Sequence, residues 1–164
     1  MRWKVGLVCA SDSGSRGERE DTSAQVIREL VEEELFGELV DYQVVPDETQ
    51  DIMAAMIEMM DYYQADLIFT TGGIGMMPRD VTPEATLKVI ERQTPGFPEA
   101  MRYAMMRKSG AGMLNRATAG IRGKTLIINL PGTPEGVHEC LSAILDQLPR
   151  ALRALTGRGG DHLL

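Results

Sequence analysis

The sequence predicts an α/β protein, a three-layer α/β/α sandwich around a mostly parallel, mixed sheet. Short apolar runs of strand length alternate along the chain with longer segments of helical periodicity, as in parallel sheets covered by helices. A hairpin-like stretch near residues 120–130 adds an antiparallel edge, so the sheet is expected to be mixed. With 164 residues and no linker, the chain is expected to form a single domain over residues 1–156, followed by a frayed tail over residues 157–164.

The spacing of apolar residues identifies the individual elements. The first strand consists almost entirely of apolar side chains, as in strands that are buried on both faces. The first long helix begins at a capping hydroxyl, Thr22 or Ser23, and stops at Gly37. In chain order, we predict a strand at 3–10, a helix at 22–36, a strand at 38–45, a helix at 50–63, a strand at 66–71, helices at 83–93 and 97–108, a short strand ending at 121, a strand at 125–130 and a helix at 135–155.

Glycine and proline set several of these boundaries. Residues 94–96, Thr-Pro-Gly, separate two helices, and residues 109–112 form a glycine-rich flexible turn. Residues 122–124, Arg-Gly-Lys, are predicted to form a hairpin turn before the strand at 125–130. Pro149 lies inside the last predicted helix, where it is expected to cause a kink or a break.

Composition and charge limit the classes of function. The chain is 43% hydrophobic and 25% charged, which is typical of a soluble globular protein. Its net charge of -7 argues against nucleic-acid binding, although local arginines can still hold a small anion. Without a signal peptide or a membrane-spanning run, we expect a cytoplasmic protein with neither membrane nor nucleic acid as a partner. Cys9 and Cys140, the two cysteines, lie in apolar elements and are expected to be buried thiols.

Residues 70–85, Thr-Thr-Gly-Gly-Ile-Gly-Met-Met-Pro-Arg-Asp-Val-Thr-Pro-Glu-Ala, carry the strongest functional signal. Gly72 and Gly73 end a predicted strand and let backbone N–H groups approach a ligand, because no Cβ intervenes. A helix start follows, with Thr82 as the N-cap and Pro83 at the first helical position. A strand, a glycine loop and a helix N-terminus together form an arrangement that binds phosphate or another anion.

Arg79 and Asp80 lie inside this loop, where an anion contact and a metal or proton contact would be needed. The motif differs from the common nucleotide motifs, since a P-loop ends in Gly-Lys-Ser/Thr and the dinucleotide fingerprint requires glycine or alanine where Pro78 stands. The alternative is a plain glycine turn between a core strand and a surface helix. The Arg-Asp pair before the helix favours a binding site over that alternative.

Other strands also end in residues suited to a site, at the edge where ligands of open α/β sheets bind. Asp12 and Ser13 follow the first strand, where a ligand contact and a solvated linker are equally good interpretations. Asp47 follows the second strand and suits either a helix cap or a site residue. Gly132 and Thr133 follow the last strand and precede a second Thr-Pro-Glu helix start.

Several motifs in this order resemble the MogA/MoaB family of molybdenum-cofactor biosynthesis proteins, to which a domain of gephyrin also belongs. The resemblance rests on the two motifs within residues 70–85 and extends to residues 46–48, 120–124 and 129–132. It implies an enzyme that adenylylates molybdopterin with Mg-ATP and releases pyrophosphate. Two alternatives remain: a MoaB-type protein that binds a pterin or nucleotide without efficient transfer, and an oligomeric scaffold.

The resemblance also implies roles for individual residues. Asp47 and Asp80 would be the catalytic pair that holds Mg²⁺ or orients the attacking phosphate. Asn115 stands where many relatives have serine, and it is a candidate for a substrate contact. The remaining candidates for contact with molybdopterin or ATP are Asp12, Ser13, Thr71, Gly72, Gly73, Gly75, Arg79, Gly132 and Thr133.

The resemblance further implies a homotrimer or a hexamer built from two trimers. Eleven methionines are compatible with such an interface, although most fall at helical spacing and suit the core equally well. Met53, Met56 and Met60 are an example.

Overall fold

Six strands run through residues 1–158, the part of the chain that this computed structural model describes. They coincide with the runs of apolar and β-branched residues, except for a two-residue edge strand. The strands are β1 (Trp3–Ala10), β2 (Gly37–Val45), β3 (Leu67–Thr71), β4 (Arg92–Gln93), β5 (Ala119–Arg122) and β6 (Thr125–Leu130).

Seven α-helices lie between and after these strands within the described residues, together with 3₁₀ turns at Gly110–Leu114 and Leu145–Gln147. Only the first α-helix is too short to have a buried face. The helices are α1 (Asp12–Ser15), α2 (Thr22–Glu33), α3 (Thr49–Asp61), α4 (Thr82–Val89), α5 (Gly96–Met106), α6 (Pro134–Ile144) and α7 (Leu148–Thr156).

The strands form one sheet in the order β2-β1-β3-β6-β5-β4. The first four of these strands are parallel, whereas β5 and β4 pair antiparallel to their neighbours. The mixed sheet and the hairpin between β5 and β6 are therefore as predicted. In the register of the parallel strands, Thr71 lies opposite Cys9 and Leu130, and Ala10 lies opposite Val45. The carboxyl ends of four strands consequently meet at one edge of the sheet.

Alternate side chains of each strand bury opposite faces of the sheet. In β3, Leu67 and Phe69 join a core cluster with α2, α5, α6 and α7, while Ile68 faces a second cluster with α3 and α4. The helices thus cover both faces, and the predicted three-layer α/β/α class is confirmed. Met56 is fully buried against the sheet, which supports the core interpretation for that methionine.

Several predicted boundaries were wrong for identifiable reasons. The helix after the glycine loop ends at Val89 rather than Gln93, because Ile90 is extended and the N–H of Glu91 donates to the carbonyl of Ile121 at the sheet edge. Residues 109–112 enter a 3₁₀ turn instead of a flexible loop. The cap of α2 is Asp21, whose carboxylate accepts the N–H of Ala24.

The last predicted helix is broken, as the proline indicated, but the break comes earlier in the chain. Leu145–Gln147 forms a 3₁₀ turn, and Pro149 then lies in the first turn of α7, where a missing N–H is tolerated. Within residues 1–158 no helix is both long and apolar enough to cross a membrane. Of the predicted tail, residues 159–164 lie outside the described part of the chain.

Candidate active site

A cleft of about 290 Å³ opens at the edge of the sheet where the parallel strands end. At this point β1 has β2 on one side and β3 on the other, the change of direction at which open α/β sheets bind ligands. The structure brings eight of the predicted site residues together as its lining: Asp12, Ser13, Asp47, Thr71, Gly72, Gly73, Asp80 and Gly132.

Asp12 and Asp47 tie together the loops that follow β1 and β2. The backbone N–H of Asp12 donates to Oδ2 of Asp47, and the backbone N–H of Asp47 donates to Oδ1 of Asp12, both at 3.0 Å. Asp47 does not cap the next helix, which starts after Glu48 without a side-chain cap. Its Oδ1 accepts no hydrogen bond from residues 1–158 and remains available to a ligand.

Burial is the main cause that raises the pKa of Asp47 above its ordinary value. The negative charges of Asp12 and Asp80 raise it further. A cation near Asp47 and Asp80 would offset both effects, because it would favour the charged form of each carboxyl group.

Asp80 closes the far end of the glycine loop. Its Oδ2 accepts the N–H of Met77, and its own N–H donates to the carbonyl of Met77, both at 2.9 Å. The residues from Met77 to Asp80 therefore form a tight turn that fixes the carboxylate. Oδ1 of Asp80, like Oδ1 of Asp47, accepts no hydrogen bond from the described residues.

Arg79 bridges the loops around the mouth of the cleft. Its Nε donates to Oδ2 of Asp12 at 2.6 Å, and its Nη2 donates to Oδ1 of Asp12 at 3.0 Å and to Glu48 at 2.8 Å. The hydrogen bonds from Arg79 to Asp12 are the main reason that the pKa of Asp12 is lowered to about 2. In this structure the guanidinium thus binds carboxylates, and a phosphate contact of Arg79 stays a prediction.

The two adjacent glycines are required by the backbone at the cleft floor. Gly72 and Gly73 adopt φ values of 83° and 68°, a region that L-residues with a Cβ rarely occupy. A Cβ at Gly72 would lie 2.5 Å from the carbonyl oxygen of Ala10, and one at Gly73 would overlap Oγ1 of Thr82. The floor is therefore bare backbone, and a phosphate contact there stays a prediction.

Thr82 differs from its predicted role as an N-cap. It is the first residue of α4, after Val81, and its backbone N–H donates to the carbonyl of Gly73 at 3.1 Å. Its side chain is fully buried, and Oγ1 has no hydrogen-bond partner among the described residues. An orphaned hydroxyl beside Gly73 fits a site that a ligand or a water molecule completes.

Four predicted residues do not line the cleft: Gly75, Arg79, Asn115 and Thr133. Thr133 caps α6 by accepting the N–H of Gly136 at 3.1 Å. Asn115 is only 6% exposed, and its Oδ1 accepts the N–H of Ala117 at 2.8 Å. Its amide nitrogen donates to the sulfur of Met105, so Asn115 serves the local chain rather than the cleft in this structure.

Sequence reasoning missed several residues at the site. Cys9 and Ser23 line the cleft, and the hydroxyl of Ser23 donates to the carbonyl of Gly132 at 2.9 Å. Arg116 was also missed, although its side chain reaches the glycine loop. The available signal was its position directly after Asn115, itself a candidate for a substrate contact.

The carboxylates fit a cation that arrives with its own ligands. Residues 1–158 contain no cluster of three or more His, Cys, Asp or Glu side chains that could hold a metal ion. Asp47 and Asp80 each keep one unbonded carboxylate oxygen, and Mg²⁺ is commonly held by one or two carboxylates together with substrate phosphates. The donor set thus suits Mg²⁺ bound with a nucleotide.

Comparison with known proteins gives a consistent result. A curated molybdopterin adenylyltransferase from Helicobacter pylori strain J99 is 44% identical over 93% of this chain and 88% of its own length. One from Escherichia coli K12 is 36% identical over 87% of this chain and 74% of its own length. The crystal structure of the molybdopterin biosynthesis enzyme MoaB from Thermus thermophilus matches with a TM-score of 0.89 and 45% identity, covering 94% of this chain and 97% of that one.

The family described as "probable molybdopterin binding domain" matches residues 6–150, which include most of β1, all of the other five strands, the glycine loop and both aspartates. The resemblance first seen in the motifs is therefore confirmed over most of the chain. This protein belongs to the molybdopterin-binding-domain family of molybdenum-cofactor biosynthesis proteins.

Proposed function

We propose that this protein is a molybdopterin adenylyltransferase that uses ATP as its co-substrate and acts in molybdenum-cofactor biosynthesis. The observation that carries the proposal is the placement of Asp47 and Asp80 beside the bare backbone of Gly72 and Gly73 in one cleft. The 44% identity to a curated enzyme of that name, over 93% of this chain, supports the same reaction.

In adenylyl transfer, a phosphate oxygen of molybdopterin attacks the α-phosphorus of ATP. The bond between that phosphorus and the oxygen that bridges it to the β-phosphate breaks, and pyrophosphate leaves. Such chemistry needs positioning and charge stabilisation more than covalent work by the protein. Mg²⁺, when bound, would neutralise the phosphates and the developing charge on the leaving group.

The residues of the cleft suit these needs. The bare backbone of the glycine loop and the N-terminus of α4, which starts against Gly73, would favour a phosphate at the cleft floor. The N–H of Gly72 itself already donates to the carbonyl of Leu130 at 3.2 Å, so the phosphate would be held by its neighbours. Asp47 and Asp80 present one oxygen each to a phosphate-bound cation. Ser13, Thr71 and Gly132 complete the walls that would hold the nucleotide and the pterin.

Asp12 takes a different role from the substrate contact first expected. Both of its carboxylate oxygens already accept hydrogen bonds, from Asp47 and from Arg79. Its contribution would be to hold Asp47 in place, with Arg79 as the tie to the glycine loop.

The test is release of pyrophosphate from Mg-ATP, with and without added molybdopterin. We expect release only when both substrates are present. Hydrolysis independent of molybdopterin, or no release by a protein that binds both substrates, would contradict the proposal.

The second candidate is binding of a pterin or nucleotide without efficient transfer. It is favoured by the 45% identity to MoaB, which equals the identity to the curated adenylyltransferase within one percentage point. Calorimetric binding of molybdopterin with no detectable pyrophosphate would support this candidate.

We further infer a homotrimer or a hexamer in the cytoplasm, formed by a single domain over residues 1–156. The family match over residues 6–150 supports the single domain. Exposed apolar side chains such as Met77, Tyr103 and Met113 are compatible with a subunit interface. Light scattering that gave a stable monomer in dilute buffer would contradict the oligomer.

A further inference from the structure

We propose that Arg116 is a positioning residue for the reaction in this cleft, because its guanidinium fixes both ends of the segment that carries Asp80. The inference rests on the proposed function, because that function gives Asp80 its catalytic role. The hydrogen bonds of Arg116 do not depend on it. Arg116 belongs to the segment between the 3₁₀ turn at Gly110–Leu114 and β5, far along the chain from the glycine loop.

Three hydrogen bonds join Arg116 to the backbone of the loop. Its N–H donates to the carbonyl of Ile74 at 2.9 Å, and its Nε donates to the carbonyl of Gly75 at 2.7 Å. Its Nη2 donates to the carbonyl of Asp80, also at 2.7 Å. Arg116 therefore holds the loop at Ile74 and Gly75, just after the cleft floor, and again at Asp80.

The remaining guanidinium nitrogen ties the loop to the next helix. Nη1 of Arg116 donates to the carboxylate of Glu84, in the first turn of α4. This hydrogen bond is the main cause that lowers the pKa of Glu84, so the pair is charged at neutral pH. Arg116 thus fixes the loop relative to α4, whose first residue, Thr82, lies against Gly73 at the cleft floor.

The loop lacks other strong anchors along its outer part. Met76, Met77, Pro78 and Arg79 are all exposed, so burial of apolar side chains does not hold this segment. The turn from Met77 to Asp80 is closed by its own hydrogen bonds, which fix its shape but not its place. Its place depends on Arg116 and on the bridge that Arg79 makes to Asp12 and Glu48.

The geometry requires arginine rather than any cation. Three nitrogens of one planar group donate at once to two carbonyls and a carboxylate, which a single ammonium group cannot reproduce. Arg116→Lys keeps the charge but loses the fork, and Arg116→Gln loses both. The two variants should therefore have similar defects if the fork is what matters.

Arg122 provides a matched control. It is also a half-buried arginine that donates to a backbone carbonyl, that of Val89 at 3.1 Å, but it lies at the opposite edge of the sheet beside Lys4 and Asp66. Arg122→Gln should reveal what losing such an arginine does to stability alone.

The first experiment measures pyrophosphate release at varied Mg²⁺ for the wild type, Arg116→Lys, Arg116→Gln and Arg122→Gln. We expect both Arg116 variants to lose kcat by about tenfold to a hundredfold, since displacement of a catalytic group by about 1 Å has effects of that size. They should also need more Mg²⁺ for half-maximal rate, whereas Arg122→Gln should change neither quantity. An unchanged Mg²⁺ requirement, or equal effects of Arg116→Gln and Arg122→Gln, would overturn the proposal.

The second experiment does not depend on activity. Amide hydrogen exchange of residues 74–81 should become at least tenfold faster in both Arg116 variants, while the strands keep wild-type exchange. Unchanged exchange in this segment would refute the positioning role. If the wild type released no pyrophosphate, the proposed function would fail, and the exchange result would still decide whether Arg116 positions the loop.

Discussion

Gly75 and Asp80 face each other across the glycine loop at a distance that leaves no room for a side chain. A Cβ built on Gly75 would lie 2.9 Å from Oδ2 of Asp80, the oxygen that also accepts the N–H of Met77. Gly75 does not have a positive φ, in contrast to Gly72 and Gly73. Its requirement for glycine therefore comes from the carboxylate and not from the backbone.

Gly75→Ala should consequently move the Asp80 carboxylate while leaving the fold intact. We expect adenylyl transfer to fall by about tenfold to a hundredfold, by the sensitivity of rates to small displacements. Gly96→Ala is the matched control, because a Cβ there meets nothing within 4 Å and its backbone is not left-handed. Equal transfer rates for the two variants would show that the position of the carboxylate does not matter.

Asp80→Asn should abolish most transfer without unfolding the protein. Asparagine keeps the acceptor for the N–H of Met77 but loses the charge that a hard cation prefers. We expect an unchanged Tm, retained molybdopterin binding and a loss of transfer on the order of a hundredfold or more, as for one preorganised electrostatic group. The readout is molybdopterin-dependent pyrophosphate release at saturating Mg-ATP.

Asp47→Asn should lose transfer to a similar extent, and the double variant should lose less than the product of the two effects, because both side chains would serve one cation and phosphate cluster. Asp61→Asn, at the exposed end of α3, serves as the control for loss of a carboxylate elsewhere. Wild-type transfer by Asp80→Asn would remove Asp80 from the catalytic pair.

The raised pKa of Asp47 predicts a dependence of stability on pH. A carboxyl group whose pKa is higher in the folded state favours folding at low pH, and this contribution is lost as the pH rises through the raised pKa. Without bound cations, Asp47→Asn should therefore have a higher Tm than the wild type at pH 7. The difference should shrink on acidification and vanish below the ordinary aspartate pKa of about 3.9.

Thermal unfolding from pH 3 to pH 8, in the presence of a chelator, would measure this difference. A wild type that is more stable than Asp47→Asn at pH 7 would contradict the pKa shift. Added Mg-ATP should reverse the order, because only the wild type has both carboxylates for the cation.

Arg79→Ala should release the Asp12 carboxyl group. The pKa of Asp12, about 2 in the intact bridge, should rise toward the ordinary value of about 3.9. A carboxyl NMR titration measures the change directly. Arg16→Ala is the control, since Arg16 binds Glu18 and its charge is the smallest cause acting on Asp12. A pKa still near 2 in Arg79→Ala would show that the reciprocal bond with Asp47 suffices.

Local order along the chain was enough to locate the cleft. Asp12, Asp47 and the glycine loop each follow a predicted strand, and parallel strands bring their carboxyl ends to one edge. The role of Gly72 and Gly73 could be predicted from the sequence, because the requirement for glycine there comes from the local backbone conformation. The family resemblance then singled out Asp47 and Asp80 as a pair, whereas physical reasoning alone left Asp47 open between a helix cap and a site residue.

Long-range contacts account for what the sequence did not reveal. The bonds of Arg116 to Gly75 and Asp80 join residues 41 and 36 positions apart, and no local pattern encodes them. The same holds for Asp12, whose carboxylate is occupied by Arg79 from 67 positions away. The edge strand Arg92–Gln93 is polar and short, and only its pairing with β5 makes it a strand.

The protonation state of the thiol at the cleft has a chemical consequence. Cys9 lines the cleft but is only 7% exposed, and burial raises its pKa to about 12. Thiol–disulfide exchange requires the thiolate, which is nearly absent at neutral pH for such a group. Cys9 can therefore line the cleft as an unreactive wall, because exchange with a disulfide of a bound molecule would need the thiolate that burial suppresses.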